Sequence, residues 1–194
     1  MKNNSFIMGG YLPDVSVCDR IISLHQNSDK QSPAFYFDKG RQVKADPAYK
    51  DSVDVSITNY KEDPIMVNYV LQLQSVVNQY IEQYPNCNRF NPWGMTEPIN
   101  IQYYKPGAGY HAWHCERSST HPIASTRHLV FMTYLNDVTD GGETEFLHQE
   151  IKIQPKKGLT LIWPSDWTHI HRGITSMTQE KYIATGWFNW LDAE

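Results

Sequence analysis

The sequence predicts an α+β fold that is mainly β, with helices in the first half of the chain and strands in the second half. Two segments before residue 90 carry apolar residues at helical spacing. From Pro98 onward, short runs rich in β-branched and aromatic residues alternate with turns that contain glycine or proline. Short strands at this spacing are typical of a sandwich or a barrel. The sequence therefore indicates helices that support a β core.

The length of the chain bounds the number of domains. A chain of 194 residues is long enough for one domain with a sizeable core and too short for two ordinary domains. We therefore expect a single domain over residues 1–194, with helical support over about 1–90 and the β core over about 98–191.

Two helices are expected. The first covers Asp14 to about Gln26, because Asp14 is a favourable N-cap and an apolar stripe follows it. The stripe comprises Val15, Cys18, Ile21, Ile22 and His25. The second helix begins at Pro64 with Asp63 as its N-cap and stops before Pro85. Its apolar face comprises Ile65, Val67, Val70, Leu71, Leu73, Val76, Val77, Tyr80 and Ile81.

The segment between these helices, from Asn27 to Asn59, has weak periodicity and many polar residues. Long loops in compact domains are usually functional. The segment also carries a group of aromatic and cationic residues: Phe35, Tyr36, Phe37, Lys39, Arg41 and Tyr49. Two interpretations stay open, a lid that contacts the substrate and an ordered pair of strands.

The second half of the chain contains the predicted strands, separated by turns at Pro106-Gly107, Asp140 to Gly142 and Pro155 to Gly158. The expected strands are Ile99 to Tyr104, Tyr110 to Glu116, His128 to Leu135, Glu143 to Phe146, Ile151 to Gln154, Thr160 to Trp163 and Lys181 to Trp190.

Composition excludes several classes of protein. A net charge of −4 gives no electrostatic reason to expect a nucleic-acid partner. No apolar run approaches the roughly 20 residues that span a bilayer, and the start of the chain lacks the apolar block of a secretory signal. Three cysteines at irregular spacing indicate reduced thiols. We therefore expect a cytoplasmic location without a membrane partner. The sequence leaves the oligomeric state open.

The strand predicted from Tyr110 to Glu116 places metal-binding groups side by side. Side chains alternate between the two faces of a strand, so His114 and Glu116 share one face while Cys115 lies on the other. A neutral histidine and a carboxylate suit a first-row divalent metal such as Fe(II). A second histidine would complete a triad that leaves coordination positions open.

The second histidine is sought near the end of the chain. His169 and His171 both lie in the run from Trp167 to Gly173. Both would point the same way from a strand, so periodicity does not choose between them.

Three blocks of residues resemble the prolyl 4-hydroxylase branch of the Fe(II)/2-oxoglutarate-dependent dioxygenases. The blocks occur in order over roughly residues 100–190: Tyr104, Gly107, Tyr110, His114 and Glu116, then Arg127, Tyr134, Leu135, Asn136 and Gly141 to Phe146, then His171, Gly173 and Lys181. Each block alone is weak evidence, and all three at compatible spacings are strong evidence.

The resemblance implies a fold and a set of roles. The implied fold is a double-stranded β-helix, or jelly roll, with the metal between its sheets. His114, Glu116 and His171 would bind Fe(II), and Lys181 would bind the remote carboxylate of 2-oxoglutarate. Tyr104 and Tyr134 would line the pocket, with Thr185 as a further hydrogen-bond donor. Met132 shares a strand face with Tyr134 and would fill the wall. For all of these lining residues, core packing stays open as the alternative. The implied cofactors and cosubstrates are Fe(II), 2-oxoglutarate and O2, and the need for ascorbate stays open.

The sequence departs from the pattern of the family at two positions. One more residue than usual separates Tyr110 from His114, which a bulge in the strand would absorb. The acidic ligand is Glu116, whereas the family usually has aspartate. A glutamate keeps the carboxylate and adds one methylene group, so the strand must lie farther from the metal or the side chain must fold back.

The expected substrate is a prolyl residue in a peptide or protein, as the resemblance implies. Trp187 is the best placed to contact this substrate, and Trp113 and Arg172 lie near the ends of the motifs. Two alternatives stay open because one fold serves many functions. One is the same chemistry on a free amino acid or another small molecule, and the other is a binding module without turnover.

Overall fold

The computed structural model describes residues 5–38, 41–44 and 46–192. Lys39, which the sequence suggested as part of a lid, lies outside the described residues. The helices are α1 (Ser16–Gln26), α2 (Pro64–Gln83) and the single turn α3 (Pro122–Ser125). None of the helices in the described ranges is long and apolar enough to cross a bilayer.

Helix α2 starts as its sequence predicts. The side chain of Asp63 accepts hydrogen bonds from the backbone N–H groups of Ile65 and Met66, and Pro64 is the first helical residue. Its buried residues are Met66, Tyr69, Leu73, Val76, Val77 and Tyr80. The assignment of Leu71 to the apolar face is wrong, because 70% of this residue is exposed.

Helix α1 starts two residues later than predicted. Its N-cap is Val15, which makes no capping hydrogen bond with its side chain. Asp14 lies one residue before the N-cap, and its side chain accepts a hydrogen bond from the backbone N–H of Ser16 at 2.9 Å. The helix buries Val17, Cys18, Ile21 and His25 against the sheet.

The strands are short, and six of the seven runs predicted as strands form one. They are β1 (Met8–Tyr11), β2 (Ser32–Pro33), β3 (Phe35–Asp38), β4 (Arg41–Lys44), β5 (Val53–Ile57), β6 (Trp93–Gly94), β7 (Ile99–Tyr104), β8 (Arg127–Tyr134), β9 (Thr144–Phe146), β10 (Ile151–Ile153), β11 (Leu159–Pro164), β12 (His171–Gly173) and β13 (Lys181–Trp190).

The larger sheet has the strand order β1-β11-β8-β13-β7-β5-β2, and β6 pairs with β13. Its neighbouring strands are antiparallel. One face packs on α1 and α2, where Ile101 and Phe131 meet Leu73 and other apolar residues in a single cluster. The opposite face carries Met132 and the alternate residues of each strand. The two helices therefore support the outer face of this sheet.

A second, three-stranded sheet with the order β10-β9-β12 covers the inner face of the larger sheet. Phe146 from β9 joins Met132, Tyr134 and Trp163 of the larger sheet in the core between the sheets. Two antiparallel sheets that enclose such a core form the jelly roll that the motif resemblance implies. Lys181 of the larger sheet and His171 of the smaller sheet both line the space between the sheets.

The predicted strand from Tyr110 to Glu116 is wrong. This segment contains only isolated bridges, one between Lys50 and Tyr110 and one between His114 and His171. Its backbone N–H groups bond in turn to Tyr49 and to β12, so the chain bends rather than extends. A loop with a few long-range hydrogen bonds replaces the regular strand.

The segment from Asn27 to Asn59 contains ordered strands. β3 and β4 pair with each other, and β2 pairs with β5 at the edge of the larger sheet. Phe35 and Tyr49 from this segment also line the central cavity. The interpretation as a strand pair is therefore confirmed, and the same segment contributes to the wall of the cavity.

Candidate metal and cosubstrate site

A cavity of about 500 Å³ lies between the two sheets. Strands β5, β7, β8 and β13 of the larger sheet form one side, and β12 with the loop before α3 forms the other. The predicted site residues that line it are Tyr104, His114, Glu116, Met132, His171, Arg172, Lys181, Thr185 and Trp187. Most residues that the sequence singled out for chemistry thus share one cavity.

The structure brings His114, Glu116 and His171 together. Their ligand atoms all lie within 4.8 Å of one another. The Nε2 atoms of His114 and His171 are each 3.5 Å from Oε1 of Glu116. The two histidines also exchange backbone hydrogen bonds, N–H of His114 to O of His171 at 3.0 Å and N–H of His171 to O of His114 at 2.9 Å. The backbone therefore fixes the distance between the two imidazoles.

Both imidazoles are oriented by the chain itself. Nδ1 of His114 is 3.0 Å from O of Ala112, and Nδ1 of His171 is 2.9 Å from O of His169. A carbonyl oxygen accepts a hydrogen bond, so each Nδ1 carries the proton and each Nε2 presents a lone pair toward Glu116. This is the tautomer that a metal ligand requires.

The protonation states of the cluster suit a cation. Burial, and then the neighbouring His171, lowers the pKa of His114, which favours the neutral imidazole. Burial alone would raise the pKa of Glu116, yet the imidazoles of His114 and His171 beside it hold the pKa of this carboxyl well below its usual range. Two histidines and one carboxylate are a typical ligand set for Fe(II).

The second oxygen of Glu116 is held by the larger sheet. Nε1 of Trp187 donates a hydrogen bond to Oε2 of Glu116 at 3.0 Å. The guanidinium of Arg127 stacks on the Trp187 ring at 3.6 Å and donates to the backbone O of Glu116 at 3.0 Å. Glu97 in turn forms an ion pair with Arg127. This arrangement keeps Oε1 directed at the two imidazoles and accommodates the longer side chain of glutamate.

Tyr110 packs against His114. Its ring lies parallel to the imidazole of His114, with 3.7 Å between the ring centroids and 7° between the planes. The extra residue between Tyr110 and His114 is accommodated in the bend of the loop, so no strand bulge is needed.

Lys181 lies at another position in the same cavity and is 6% exposed. Its Nζ donates a hydrogen bond to O of Gly142 at 3.1 Å and lies 5.0 Å from the centre of the Tyr104 ring. Within the described residues, no carboxylate lies within ion-pair distance of this ammonium. Burial lowers the pKa of Lys181 to about 8, against a small opposing effect of Glu143. The lysine is therefore a buried cation without a charged partner.

The Gly-Gly turn after Asp140 positions the carbonyl that Lys181 meets. Gly141 and Gly142 have φ angles of +72° and +78°, which only glycine adopts readily. A Cβ on Gly141 would lie 2.4 Å from the backbone O of Thr175. Glycine is therefore required here by both conformation and space.

The predicted lining residues divide into two groups. Tyr104 and Met132 line the cavity, and the Tyr104 hydroxyl donates to Oε1 of Gln102 at 2.6 Å. Thr185 also lines it, but its hydroxyl already donates to O of Phe131 at 3.0 Å. Tyr134 lies behind the wall, where its hydroxyl donates at 2.6 Å to Thr144. Tyr134 thus fixes a residue of the wall instead of facing the cavity.

The predicted substrate residues differ in their surroundings. Trp187 lines the cavity but is bonded to Glu116, so part of its role is to position that carboxylate. Arg172 lines the cavity, forms an ion pair with Glu145 at 2.8 Å, and stacks on the ring of Trp113 at 4.4 Å. Trp113 is 37% exposed and lies outside the cavity lining. Arg172 and Trp113 therefore form a pair at the outer side of the cavity.

The structure separates the two histidines that periodicity left equivalent. His171 joins the cluster, whereas Nε2 of His169 is 2.9 Å from O of Ser5 and its Nδ1 bonds to Thr168. His169 is thus a buried structural residue. Cys115 lies between two members of the cluster in sequence and is not part of it in space, as expected.

Sequence reasoning missed several residues of the site. Arg127 belongs to one of the motifs, but no role was assigned to it from the sequence. Glu97 was missed because no local pattern links it to Arg127, its ion-pair partner 30 positions later. Lys50 and Asp54, both buried, form an ion pair at 2.9 Å in the cavity wall. A spacing of four residues is typical of ion pairs on one face of a helix, but Asp54 lies in strand β5.

Comparison with known families agrees with the fold and the cluster. Residues 99–189, slightly less than half of the 194 residues, match the family model of the 2OG-Fe(II) oxygenase superfamily. This segment contains His114, Glu116, His171 and Lys181. The strand-rich second half of the chain is thus similar to the 2OG-Fe(II) oxygenases.

The chain also resembles individual prolyl 4-hydroxylases, as its motifs predicted. It is 30% identical over 127 residues to "Probable prolyl 4-hydroxylase 9" of Arabidopsis thaliana, and the match covers 53% of this chain and 44% of that protein. Over an alignment of 218 positions, gaps included, it is 24% identical to "Prolyl 4-hydroxylase 2" of the same plant. This match covers 97% of this chain and 68% of that protein. The chain therefore corresponds to less than half of the first of these relatives.

Two solved structures share the fold over most of the chain. The viral collagen prolyl hydroxylase of Paramecium Bursaria Chlorella virus-1, solved with 2OG, has a TM-score of 0.73 at 18% identity, over 97% of this chain and 98% of that one. A prolyl hydroxylase from Trichoplax adhaerens, solved with a hypoxia inducible factor peptide, has a TM-score of 0.71 at 18% identity, over 96% and 84%. The predicted jelly-roll fold is confirmed.

Proposed function

We propose that this protein is an Fe(II)- and 2-oxoglutarate-dependent dioxygenase that hydroxylates prolyl residues in a peptide or protein. One observation carries the proposal. The cluster of His114, Glu116 and His171 shares its cavity with Lys181, a buried cation that has no charged partner in the described part of the chain. A cluster of metal ligands and a separate carboxylate receptor are what a 2-oxo diacid bound to a metal requires.

In this proposal, Nε2 of His114, Oε1 of Glu116 and Nε2 of His171 hold Fe(II). A triad of two histidines and one carboxylate would leave coordination positions of the metal open for a 2-oxo acid and O2. When bound, Fe(II), 2-oxoglutarate and O2 supply the oxidising chemistry that converts the cosubstrate to succinate and carbon dioxide and hydroxylates a substrate carbon. The chain contributes orientation and electrostatics.

Lys181 is proposed to bind the remote carboxylate of 2-oxoglutarate. An unpaired buried ammonium is costly, and a carboxylate partner would remove that cost. Lys50, Arg127 and Arg172 also line the cavity, but each already has a carboxylate partner. Asp54 pairs with Lys50 at 2.9 Å, Glu97 with Arg127, and Glu145 with Arg172. Met132 and Ile183 form an apolar part of the same wall and exclude water from the space between the metal ligands and Lys181.

The prolyl substrate is supported by the resemblance to prolyl 4-hydroxylases in sequence and fold. The aromatic ring of Trp113 and the guanidinium of Arg172 offer an exposed stacking surface beside the cavity. An extended, proline-rich peptide docks on such surfaces at low conformational cost. We therefore propose that the peptide crosses the outer side of the cavity and inserts one prolyl ring.

A second candidate is the same chemistry on a free amino acid or a related small molecule. The polar wall formed by Asp54, Ser56, Asn100 and Gln102 favours this candidate, because a prolyl ring alone offers it no hydrogen-bond partners. Both candidates share the metal, the cosubstrate and the proposed roles of Lys181 and the three ligands.

The test is an assay of succinate formation with Fe(II), ascorbate and 2-oxoglutarate, with and without a proline-rich peptide. We expect peptide-dependent succinate and a mass gain of one oxygen on a prolyl residue. If free proline gains oxygen and the peptide does not, the substrate is the small molecule and not the peptide. Succinate that never exceeds background with any substrate would favour a binding module without turnover. Assays with and without ascorbate decide whether that reductant is needed.

A further inference from the structure

The wall of the cavity made by β5 and β7 has no role in the metal site or the Lys181 site. Four polar residues of these strands line the cavity: Asp54, Ser56, Asn100 and Gln102. The two strands pair so that Asp54 is opposite Gln102 and Ser56 is opposite Asn100. The four side chains therefore form a compact polar surface on the inner face of the larger sheet.

Neighbouring hydroxyl groups fix the orientation of both amides in this wall. The Ser56 hydroxyl donates to Oδ1 of Asn100 at 2.6 Å, and the Tyr104 hydroxyl donates to Oε1 of Gln102 at 2.6 Å. Each amide oxygen is thus occupied by a donor. The NH2 groups, Nδ2 of Asn100 and Nε2 of Gln102, are the parts of these side chains left to face other partners.

Neither NH2 group has an acceptor in the parts of the chain that the structure describes. Asp54 is opposite Gln102, but its carboxylate is already held by Lys50 at 2.9 Å and by the Ser52 hydroxyl at 2.7 Å. Gln102 is only 8% exposed. Neither NH2 nitrogen is among the buried atoms that lack a partner, so both are open to the cavity that their residues line. A bound molecule with suitably spaced oxygens can therefore accept hydrogen bonds from both in place of water.

We propose that Asn100 and Gln102 form a pair of hydrogen-bond donors that binds carbonyl or carboxylate oxygens of the substrate. Positions i and i+2 of a strand lie about 7 Å apart, which is also the spacing of carbonyl groups on one side of an extended peptide. The oxygens come either from internal peptide carbonyls or from the free carboxylate of a small molecule. This inference rests on the proposed function only in taking the cavity as the place where the substrate binds.

Two conservative variants isolate the donors. Asn100→Asp and Gln102→Glu keep the oxygens that accept from Ser56 and Tyr104, and replace each NH2 donor by an acceptor. Asn100→Leu and Gln102→Met are second variants, since they remove the donor without adding a charge. Gln74→Glu is the matched control, because Gln74 donates a hydrogen bond from an amide on the exposed surface of α2. Thermal unfolding of each variant checks that the fold is intact.

The measurement is calorimetric titration of the full chain with two probes, so that no turnover is needed. The probes are a proline-rich peptide with acetylated and amidated ends, and free L-proline. We expect every Asn100 and Gln102 variant to raise the dissociation constant of one probe about tenfold, as loss of a buried hydrogen bond predicts. The Gln74→Glu control should leave that constant unchanged.

The outcomes separate the two sources of oxygen from failure of the proposal. A weakened peptide complex assigns the donors to peptide carbonyls, and a weakened L-proline complex with an unaffected peptide assigns them to a free carboxylate. Unchanged constants in the variants overturn the proposal, as does a wild-type chain that binds neither probe. Failure of the proposed function appears separately, as absence of succinate in the assay with 2-oxoglutarate.

Discussion

The metal-ligand cluster and the Lys181 position lie in one cavity but differ in how the protein satisfies them. In the cluster, each group has partners within the chain: backbone carbonyls hold both Nδ1 atoms, and Trp187 holds the outer oxygen of Glu116. At Lys181, one backbone carbonyl is the only hydrogen-bond partner among the described residues, and no carboxylate neutralises the charge.

The difference indicates how each site meets its ligand. The cluster is preorganised, so a metal would bind to side chains that the chain already holds in the required orientation. Lys181 is kept in an unfavourable state that a diacid would relieve. The four predictions that follow test this contrast, and they are ordered from the largest expected effect to the smallest.

The largest effect is expected at the metal ligands. His171→Ala and Glu116→Ala should each weaken Fe(II) binding by at least about 100-fold, because loss of even an outer partner of a ligand typically costs 10–100-fold. Anaerobic titration with Fe(II) measures this, and turnover should be lost in both variants. Glu116→Asp should retain metal binding, since the carboxylate is kept. Undiminished binding in His171→Ala, with loss in His169→Ala, would assign the site to the other histidine.

A smaller effect is expected at the buried cation. Lys181→Met should raise the concentration of 2-oxoglutarate needed for half-maximal turnover by about tenfold or more, because a charge-assisted hydrogen bond contributes roughly 1.5–3 kcal/mol. Metal binding should be unchanged in this variant. Lys105→Met, at an exposed lysine, is the control. Equal affinity for 2-oxoglutarate in both variants would place the cosubstrate elsewhere.

The pKa of Lys181 predicts how cosubstrate binding depends on pH. Since burial lowers this pKa to about 8, the ammonium is charged below pH 8 and increasingly neutral above it. A dicarboxylate binds the charged form, so its dissociation constant should be flat below about pH 8 and rise up to about tenfold per pH unit above it. Calorimetry with 2-oxoglutarate across this range measures the slope. The Lys181→Met variant should show no such rise, and a wild-type slope of zero would contradict the assignment.

The smallest effect is expected from the residue that holds Glu116. Trp187→Phe keeps the ring and removes the hydrogen bond to Oε2 of Glu116. Fe(II) affinity should fall about tenfold, at the low end of the loss expected for an outer partner, since water replaces part of the lost hydrogen bond at a half-buried position. Trp167→Phe, at an exposed tryptophan, should change nothing. If the fall occurs only in substrate affinity, Trp187 contacts substrate and does not position the ligand.

The sequence predicted those features that depend on local patterns. The N-cap of Asp63 and the strands at β7, β8 and β13 follow from local residue preference and alternation, so they lie close to the expected positions. His114, Glu116 and Lys181 were found through motif spacing. Each of these features depends on residues within a short stretch of the chain, so each can be predicted without knowledge of distant contacts.

The features that sequence reasoning missed depend on distant contacts. The segment from Tyr110 to Glu116 has strand-like residues, but its hydrogen bonds go to Tyr49, Ser165 and His171 and not to one neighbouring strand. The partners of Arg127 and Trp187 also lie far away along the chain. Alternation predicted that His114 and Glu116 converge, yet the convergence is produced by a bent loop.

The reciprocal backbone hydrogen bonds between His114 and His171 also bear on how the site forms during folding. They join segments far apart in sequence, so both imidazoles come together only after the two sheets have closed on each other. An unfolded chain therefore lacks the metal site, and any divalent ion that occupies it adds its binding free energy to the native state alone. The amide protons of these two histidines would then be among the slowest in their own segments to exchange with solvent, with or without an ion.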